Sequence, residues 1–311
     1  MSKQTESAPY QILPVLGNTM VIDSPFLIPL YMTDSRHCIL LDTGTDTMRG
    51  RLEATLEAEN LTPIGILCTH THFDHYGNAG YFSRRYDCPI ALPLGEAEVC
   101  RTLSSVKSYM FCFSAGQVAA DPNMAALPCL VDHVIRPEET DTMFRGVRFG
   151  VIHTPGHSID HVSYVTPDRV LYVGDALMCG HSLHASKLPY AFHMASSFRT
   201  MEKLRDVTCP KMILAHRGVA EAPYGDLVEE NIAAMRGEIE SISRLIDRQM
   251  TVEEVYRTVQ QALEIQVTSP VKALNLERFL RPYLEHLIDR GSHRQSVRDG
   301  LLCYEPAERQ Q

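Results

Sequence analysis

The chain has no Cys-x-x-Cys pair, no dense Lys/Arg run and no uninterrupted apolar stretch near the roughly 20 residues that span a bilayer. Each absence removes a class of protein. Without an apolar span, a membrane is not an expected partner. Without a basic run, and with a formal net charge of -9, the surface offers no global attraction to polyanions, so nucleic acid is not an expected partner either. The nine cysteines are odd in number and scattered, which suits reduced thiols better than a disulfide framework. Met1 to Pro9 is polar and lacks the basic-then-apolar profile of a secretory signal, so the expected location is cytoplasmic. No internal repeat or low-complexity tract appears. A G-x-S-x-G elbow is also missing, so a serine nucleophile on such a turn is excluded.

What remains is a composition of 44% hydrophobic and 22% charged residues over 311 positions, enough for a large globular core. In the first two thirds, short apolar runs alternate with turns and helical stretches, an α/β pattern. Cys38 to Leu41 stops at Asp42-Thr43-Gly44, and Ile64 to Cys68 stops at a histidine cluster. Val147 to Ile152 leads to Thr154-Pro155-Gly156-His157, Val170 to Val173 to Gly174-Asp175, and Met212 to Leu214 to Ala215-His216. Each run is of strand length and rich in branched residues, and each ends in a His or Asp where sheets commonly build their sites.

The texture changes near Asp226. Ile232, Met235, Ile239, Ile242, Leu245 and Ile246 recur at helical spacing. Thr251 and Glu254 form a capping-box signature opening a second helix to about Leu263. Leu276 to Leu287 carries a third apolar stripe, closed by Gly291. The expected division is a catalytic domain over residues 1–225 and a helical C-terminal region over 226–311, with the last twenty residues polar and frayed. The apolar stripes need cover, from the preceding α/β domain beside the loops at its strand ends or from a second copy. A homodimer is the expected arrangement, with a snugly packed monomer as the alternative. The segment 83–141, with Tyr109 to Phe113 at its centre, reads as a helix and loop packed on the core, the alternative being a lid or pocket wall.

The strongest signal is His70-Thr71-His72-Phe73-Asp74-His75, four potential ligands within six residues. So many donors crowded together repel one another unless a cation binds them, and imidazole with carboxylate suits zinc, with iron or manganese as alternatives. One ion needs ligands from more than one segment. His157, Asp175 and His216 each stand at a strand end; singly each reads as a structural residue, and beside the cluster each reads as a ligand.

Taken in order, Leu41-Asp42-Thr43-Gly44, the His-x-His-x-Asp-His run at 70–75, Thr154 to Ser158, Gly174-Asp175 and Ala215-His216 resemble the five motifs of the metallo-β-lactamase superfamily. The resemblance covers residues from about 40 to 217. It implies an αββα sandwich of two mixed sheets with helices outside, a metal site at one edge, and here a C-terminal helical appendage. It further implies that His70, His72 and His157 hold a first metal ion and Asp74, His75 and His216 a second, with Asp175 bridging them. Asp42 matches a position that orients a ligand imidazole. His161 reads as a packing or orienting histidine rather than a catalytic one. Lys187 and Tyr190 follow Asp175 and are candidate substrate contacts, an ordinary loop role being the alternative.

The expected chemistry is attack by a metal-bound hydroxide on an ester, thioester, lactone or phosphodiester centre, with Asp74 accepting a hydrogen bond from it and relaying a proton. Within the superfamily, the carboxylate at Asp175 resembles glyoxalase II and related thioesterases, lactonases and nucleases. True β-lactamases usually carry Cys or Ser there, and flavodiiron oxidoreductases place Glu at the position of His72. The first expectation is therefore a small-molecule ester or thioester hydrolase with two divalent ions. An RNA or phosphodiester hydrolase comes second and a mononuclear iron sulfur dioxygenase third. A non-enzymatic binding or signalling protein ranks last, because degenerate members lose ligands and this chain fills all seven positions.

Overall fold

The computed structural model describes residues 8–307. Seven strands form one sheet in chain order: β1 (Gln11–Leu16), β2 (Thr19–Asp23), β3 (Ile28–Met32), β4 (His37–Leu41), β5 (Thr62–Leu67), β6 (Ile90–Pro93) and β7 (His133–Ile135). It is antiparallel from β1 to β4 and parallel from β4 to β7. A second sheet has six strands: β8 (Asp141–Phe144), β9 (Val147–His153), β10 (Val162–Val165), β11 (Val170–Tyr172), β12 (Lys211–Leu214) and β13 (Gly218–Glu221). Its β11–β12 pair is parallel. The five strands read from the sequence are β4, β5, β9, β11 and β12.

The helices between Arg49 and Arg205 are α1 (Arg49–Ala58), α2 (Phe73–Tyr76), α3 (Ala79–Tyr86), α4 (Leu94–Val99), α5 (Leu103–Tyr109), α6 (Ala115–Ala120), α7 (Pro122–Ala125), α8 (Gly180–Ala185) and α9 (Met194–Arg205). Three apolar clusters show how the layers stack. Ile39, Leu41, Leu67, Phe149, Tyr164 and Ile213 fill the space between the two sheets. Leu52 of α1 and Phe82 of α3 pack with Leu40 and Ile66 on the outer face of the first sheet. Met201 and Leu204 of α9 pack with Leu171, Met212 and Leu214 on the outer face of the second. The order is helix, sheet, sheet, helix, as expected. In central strands such as β4 and β12, alternating residues serve two clusters, so both faces are buried and these strands read as near-continuous apolar runs.

The segment 83–141 is more than core packing. Its α4–α7 are short helices whose Val106, Val118 and Met124, with Phe113 between them, join the outer cluster of the first sheet. The same segment also contributes Tyr109, Met110, Met124 and Leu127 to the wall of the main cavity. Both readings of this stretch therefore describe part of it. Ser114 and Gln117 close a capping box on α6, and Asp121 caps α7 ahead of Pro122, which accounts for the break between them.

Three helices follow: α10 (Gly225–Leu245), α11 (Val252–Ala262) and α12 (Pro270–Asp289). Val228, Ile232, Met235, Ile239 and Ile242 form the buried stripe of α10. The Thr251–Glu254 capping box opens α11. Ser269 caps α12 with Pro270 at its first turn, and Gly291 lies just past its end at a φ of +71°. The expected fraying of the last twenty residues is corrected over residues 292–307, and the part of that expectation on residues 308–311 lies outside the described residues. β15 (His293–Arg298) and β16 (Leu301–Pro306) form a hairpin, and β16 also pairs with β14 (Met250–Thr251). The outward side chains of the hairpin are polar or exposed, so the run reads as a tail. Pairing with β14 and burial of Cys303 and Tyr304 anchor a ribbon that is marginal alone. The C-terminal region is thus helical with a three-stranded antiparallel sheet.

Candidate metal centre

The ends of β4, β5, β9, β11 and β12 converge at one edge of the sandwich. At the end of β4, Asp42 adopts a left-handed φ of 66° and is almost fully buried. Its Oδ1 accepts from the Thr69 amide at 2.8 Å, and its Oδ2 from the Thr69 hydroxyl at 2.9 Å and the Tyr172 hydroxyl at 2.6 Å. The same Oδ2 stands 2.7 Å from His75 Nδ1. That contact turns His75 Nε2 inward, the orienting role expected for Asp42. Thr69 has spent its proton on Asp42, so at 3.0 Å it accepts from His70 Nδ1 and leaves His70 Nε2 as a bare acceptor.

Two glycines permit the close approach of the remaining ligands. At Gly156, with φ +136°, a Cβ would overlap the Ser197 backbone; at Gly174, with φ +53°, it would lie 2.7 Å from His161 Nε2. These glycines place His157 and Asp175, the next residues in each case. His161 is buried, accepts from the Asp175 amide through Nε2 at 3.2 Å and faces the Thr154 hydroxyl through Nδ1 at 2.8 Å. Both of its nitrogens are occupied within the fold.

The result is two groups of ligand atoms, His70, His72, His157 and Asp175 in one and Asp74, His75, Asp175 and His216 in the other, each within 4.8 Å of one another. Asp175 belongs to both. Its Oδ2 stands 3.2 Å from His157 Nε2 and 3.1 Å from His216 Nε2, and its Oδ1 stands 3.1 Å from His75 Nε2. His72 Nδ1 faces His157 Nε2 at 2.9 Å. His70 Nε2, His75 Nε2 and Asp175 Oδ1 are nonetheless buried without a hydrogen-bond partner, because the 3.1 Å approach lacks hydrogen-bond alignment. Buried polar atoms normally find partners, so three orphans converging on one space fit a divalent cation. The structure thus brings together all seven residues read as ligands.

Charge in the site follows from burial. Desolvation holds His70 and His72 well below the usual imidazole range and His157 down to about 4, so all three stand ready as neutral donors. Burial opposes charge at His75 too, but Asp175, Asp42 and Asp74 together hold it well above its ordinary value. Asp175 raises His216 in the same way. Desolvation pushes the Asp74 carboxyl up. At Asp175 burial acts in that direction too but is outweighed by His75, His216 and His157, which hold the carboxyl well below its usual range.

Five of the seven, His72, Asp74, His157, Asp175 and His216, line a cavity of about 440 Å³, within the usual range for small-molecule sites. Its walls are mostly apolar: Met110, Met124, Leu127, Leu188, Met235 and Phe279 among them. Tyr190 lines this cavity, with its ring 5.6 Å from that of His72. Lys187 does not; its ammonium donates to the Glu264 carbonyl at 2.9 Å, and the loop turns it away from the ligands.

Three contributors were not singled out as site residues in the sequence, Tyr109 appearing there only within the segment whose alternative role was a lid or pocket wall. Glu96, fully buried at the start of α4, accepts from the Thr71 amide and hydroxyl, the Ser158 hydroxyl and the Asp160 amide. Its signal was there, a carboxylate just past the apolar run Ile90–Leu92. Tyr109 places its hydroxyl 3.0 Å from His72 Nε2. Arg278 of α12 reaches the same nitrogen at 3.5 Å, and nothing local in the sequence marks it.

A sandwich with clustered His and Asp at its strand ends defines a class of metal-binding α/β proteins. The model of the metallo-β-lactamase superfamily matches residues 17–216, and the chain belongs to that superfamily. It is 29% identical over 175 residues to a hydroxyacylglutathione hydrolase of Serratia proteamaculans, covering 55% of each chain. It is 28% identical over 159 residues to the probable metallo-hydrolase YqgX of Bacillus subtilis, covering 48% of this chain and 65% of that one. The chain thus spans about half to two thirds of the length of these curated relatives. Among solved structures, it superposes on the metallo-beta-lactamase family protein TTHA1429 of Thermus thermophilus with a TM-score of 0.70 at 20% identity, over 96% of this chain and 97% of that one. A beta-lactamase domain protein of Burkholderia ambifaria gives 0.72 at 15% identity, over 98% and 97%. These two likenesses extend through the C-terminal region and concern the fold alone.

Proposed function

We propose that this protein is a metal-dependent hydrolase of small ester- or thioester-type substrates, with two divalent ions held by the seven ligands. The observation that carries the reading is Asp175, shared by two sets of inward-facing imidazoles beside a largely apolar cavity. Nitrogen and carboxylate donors with no thiolate suit zinc best, then iron or manganese. Ions bound there would make hydroxide available near neutral pH and polarise the electrophilic oxygen.

The chain's own residues supply the rest. Asp74 Oδ2 lies 3.7 Å from His216 Nε2 and 3.9 Å from His75 Nε2, placed to accept a proton from the attacking water and return it to the leaving group. Asp42 and His161 hold His75 and Asp175 in register. The apolar walls admit an acyl chain or an uncharged leaving group and exclude water from it. Relatives named as hydroxyacylglutathione hydrolases support an acylated thiol over an RNA phosphodiester. So does the net charge of -9. All nine cysteines are free, which supports a reducing, cytoplasmic setting. No helix of the described residues is long and apolar enough to cross a membrane.

The test is a panel of thioesters, esters, lactones and phosphodiesters offered to protein loaded with zinc, iron or manganese. Thioester or ester turnover that disappears on chelation is the expected result. Turnover confined to phosphodiesters would replace this reading with the nuclease one, and turnover of nothing would return the protein to the binding class.

A further inference from the structure

The α12 helix drives one cation into the wall of the catalytic cavity. Arg278 is only 8% exposed and lines that cavity. Its guanidinium sits between two aromatic rings, 4.6 Å from the centre of Tyr190 and 5.1 Å from that of Tyr109. One Nη lies 3.5 Å from His72 Nε2, the far side of a ring whose other nitrogen faces the ligand cluster.

The charge of this guanidinium has no counterpart. No carboxylate among the described residues comes within ion-pair distance of it, and the nearby acids are engaged elsewhere. Glu277 reaches Arg281 at 3.6 Å, Glu96 is saturated by four donors, and Asp74 and Asp175 belong to the ligand groups. Tyr109 and Tyr190 offer the guanidinium ring faces rather than a carboxylate. A buried cation without an anion is costly, and here it stands beside a cluster that itself gathers positive ions. The fold keeps it there between the two rings, where it lines the cavity with one Nη toward His72 Nε2.

We propose that Arg278 is the seat of a substrate carboxylate, and that the enzyme selects esters or thioesters carrying a carboxylate within a few bonds of the scissile carbonyl. The inference rests on the hydrolase reading above and adds the substrate class. A carboxylate matches the planar fork of one guanidinium. The proximity of Arg278 to His72 sets the distance between that anion and the reacting centre, and the methionine- and leucine-lined remainder of the cavity takes the apolar part of the molecule.

The experiment compares matched thioesters with the metal-loaded full chain. Succinyl and butyryl thioesters of N-acetylcysteamine differ in a carboxylate on the acyl side. Acetyl thioesters of 3-mercaptopropionate and of its methyl ester place the same difference on the leaving-group side. One anionic member should exceed its neutral partner by about 30-fold or more in kcat/KM, since a site built for a polar group discriminates strongly against its absence. Arg278→Met should erase that preference, lowering the anionic substrate about 30-fold or more relative to its neutral partner whatever loss the two share, and Arg278→Lys should restore part of the ratio. Equal loss on both substrates, or no preference in the parent protein, would overturn the proposal. If no thioester is turned over, the hydrolase reading is at fault and a binding measurement decides the site. Calorimetry with the thioether 3-(butylthio)propionate and its methyl ester should show tighter binding of the acid, about tenfold or more, lost in Arg278→Met. Equal affinity for acid and ester sinks the anion seat. Should Arg278→Met not fold, the preference of the parent protein and the Arg278→Lys variant still give the answer.

Discussion

The Ser158 hydroxyl donates a 2.6 Å hydrogen bond to Glu96 Oε1, joining the loop after β9 to the first turn of α4. The other oxygen of Glu96 holds Thr71, between His70 and His72. One buried carboxylate therefore sets the spacing between the histidine run of the first sheet and His157 of the second.

Replacing Glu96 should loosen that spacing. Glu96→Ala leaves buried donors unpaired, at an expected cost of about 3–5 kcal/mol. Metal affinity should fall by about 10- to 100-fold, the usual consequence of removing an orienting partner. Denaturant melts of the chelated protein and metal titrations measure the two effects separately. Parent-like values in both would show that the carboxylate positions nothing.

Metal removal should lower stability as well as activity, because orphaned His70 Nε2, His75 Nε2 and Asp175 Oδ1 gain a partner only with a cation. At a free metal concentration 100 times Kd, binding adds about 2.7 kcal/mol. For a chain of this size that is a rise of several degrees in Tm. Elemental analysis of protein purified without chelator should find close to two equivalents. A preparation that binds none by calorimetry ends the dinuclear reading.

Asp175→Ala should separate the two ligand groups, since both use this carboxylate. One equivalent of metal and most of kcat should be lost. The fold should persist, because the core lies in the sheets and not at their edge. Retention of both metals with normal turnover would show that Asp175 is not a bridge.

The C-terminal sheet should respond to acid. The Thr251 amide and then Arg298 hold the Glu254 carboxyl below its usual range. A depressed folded pKa means stabilisation that is full above the unfolded value, near about 4.3, and lost as pH falls through the folded one. In chelated protein, the Tm gap between parent and Glu254→Gln should therefore be present at pH 6 and shrink toward pH 3. A gap that grows in acid contradicts the sign.

Truncation near Pro223 should be damaging in two ways. Val228, Ile232, Met235, Ile239 and Ile242 of α10 pack on the cluster that also holds Leu171 and Met212, and each contributes roughly 1.5–3 kcal/mol when buried. Arg278 and Phe279 would leave the cavity wall. Aggregation, or a soluble chain without activity, is expected; a soluble and fully active product would show that the region serves neither purpose. Light scattering on the intact chain tests the proposed homodimer independently.

How much of this was legible depended on range. The ligand run at 70–75 compresses four donors into one loop, and no neighbouring residue can neutralise them, so the metal reading needs no tertiary information. Asp42, His157, Asp175 and His216 are legible because each closes a buried strand, where chain direction forces the next side chain out at the sheet edge. Lys187 lies beyond α8, in the loop that leads to α9, and turns to the Glu264 carbonyl, since a loop side chain follows its nearest acceptor rather than its sequence neighbours. The hairpin of β15 and β16 was illegible because Val297, Leu301 and Leu302 face outward while mainly Cys303 and Tyr304 are inserted.

By itself, then, the sequence determined the short strands and the seven donors at their ends, because strand periodicity and ligand crowding are local, while the sandwich was implied by the resemblance of the five ordered motifs to the metallo-β-lactamase superfamily. Only the tertiary structure decided the cavity wall, the link from Glu96 to Ser158 and the entry of Arg278. Those contacts join residues 62 and 206 positions apart, across which a linear pattern carries no information about direction or distance.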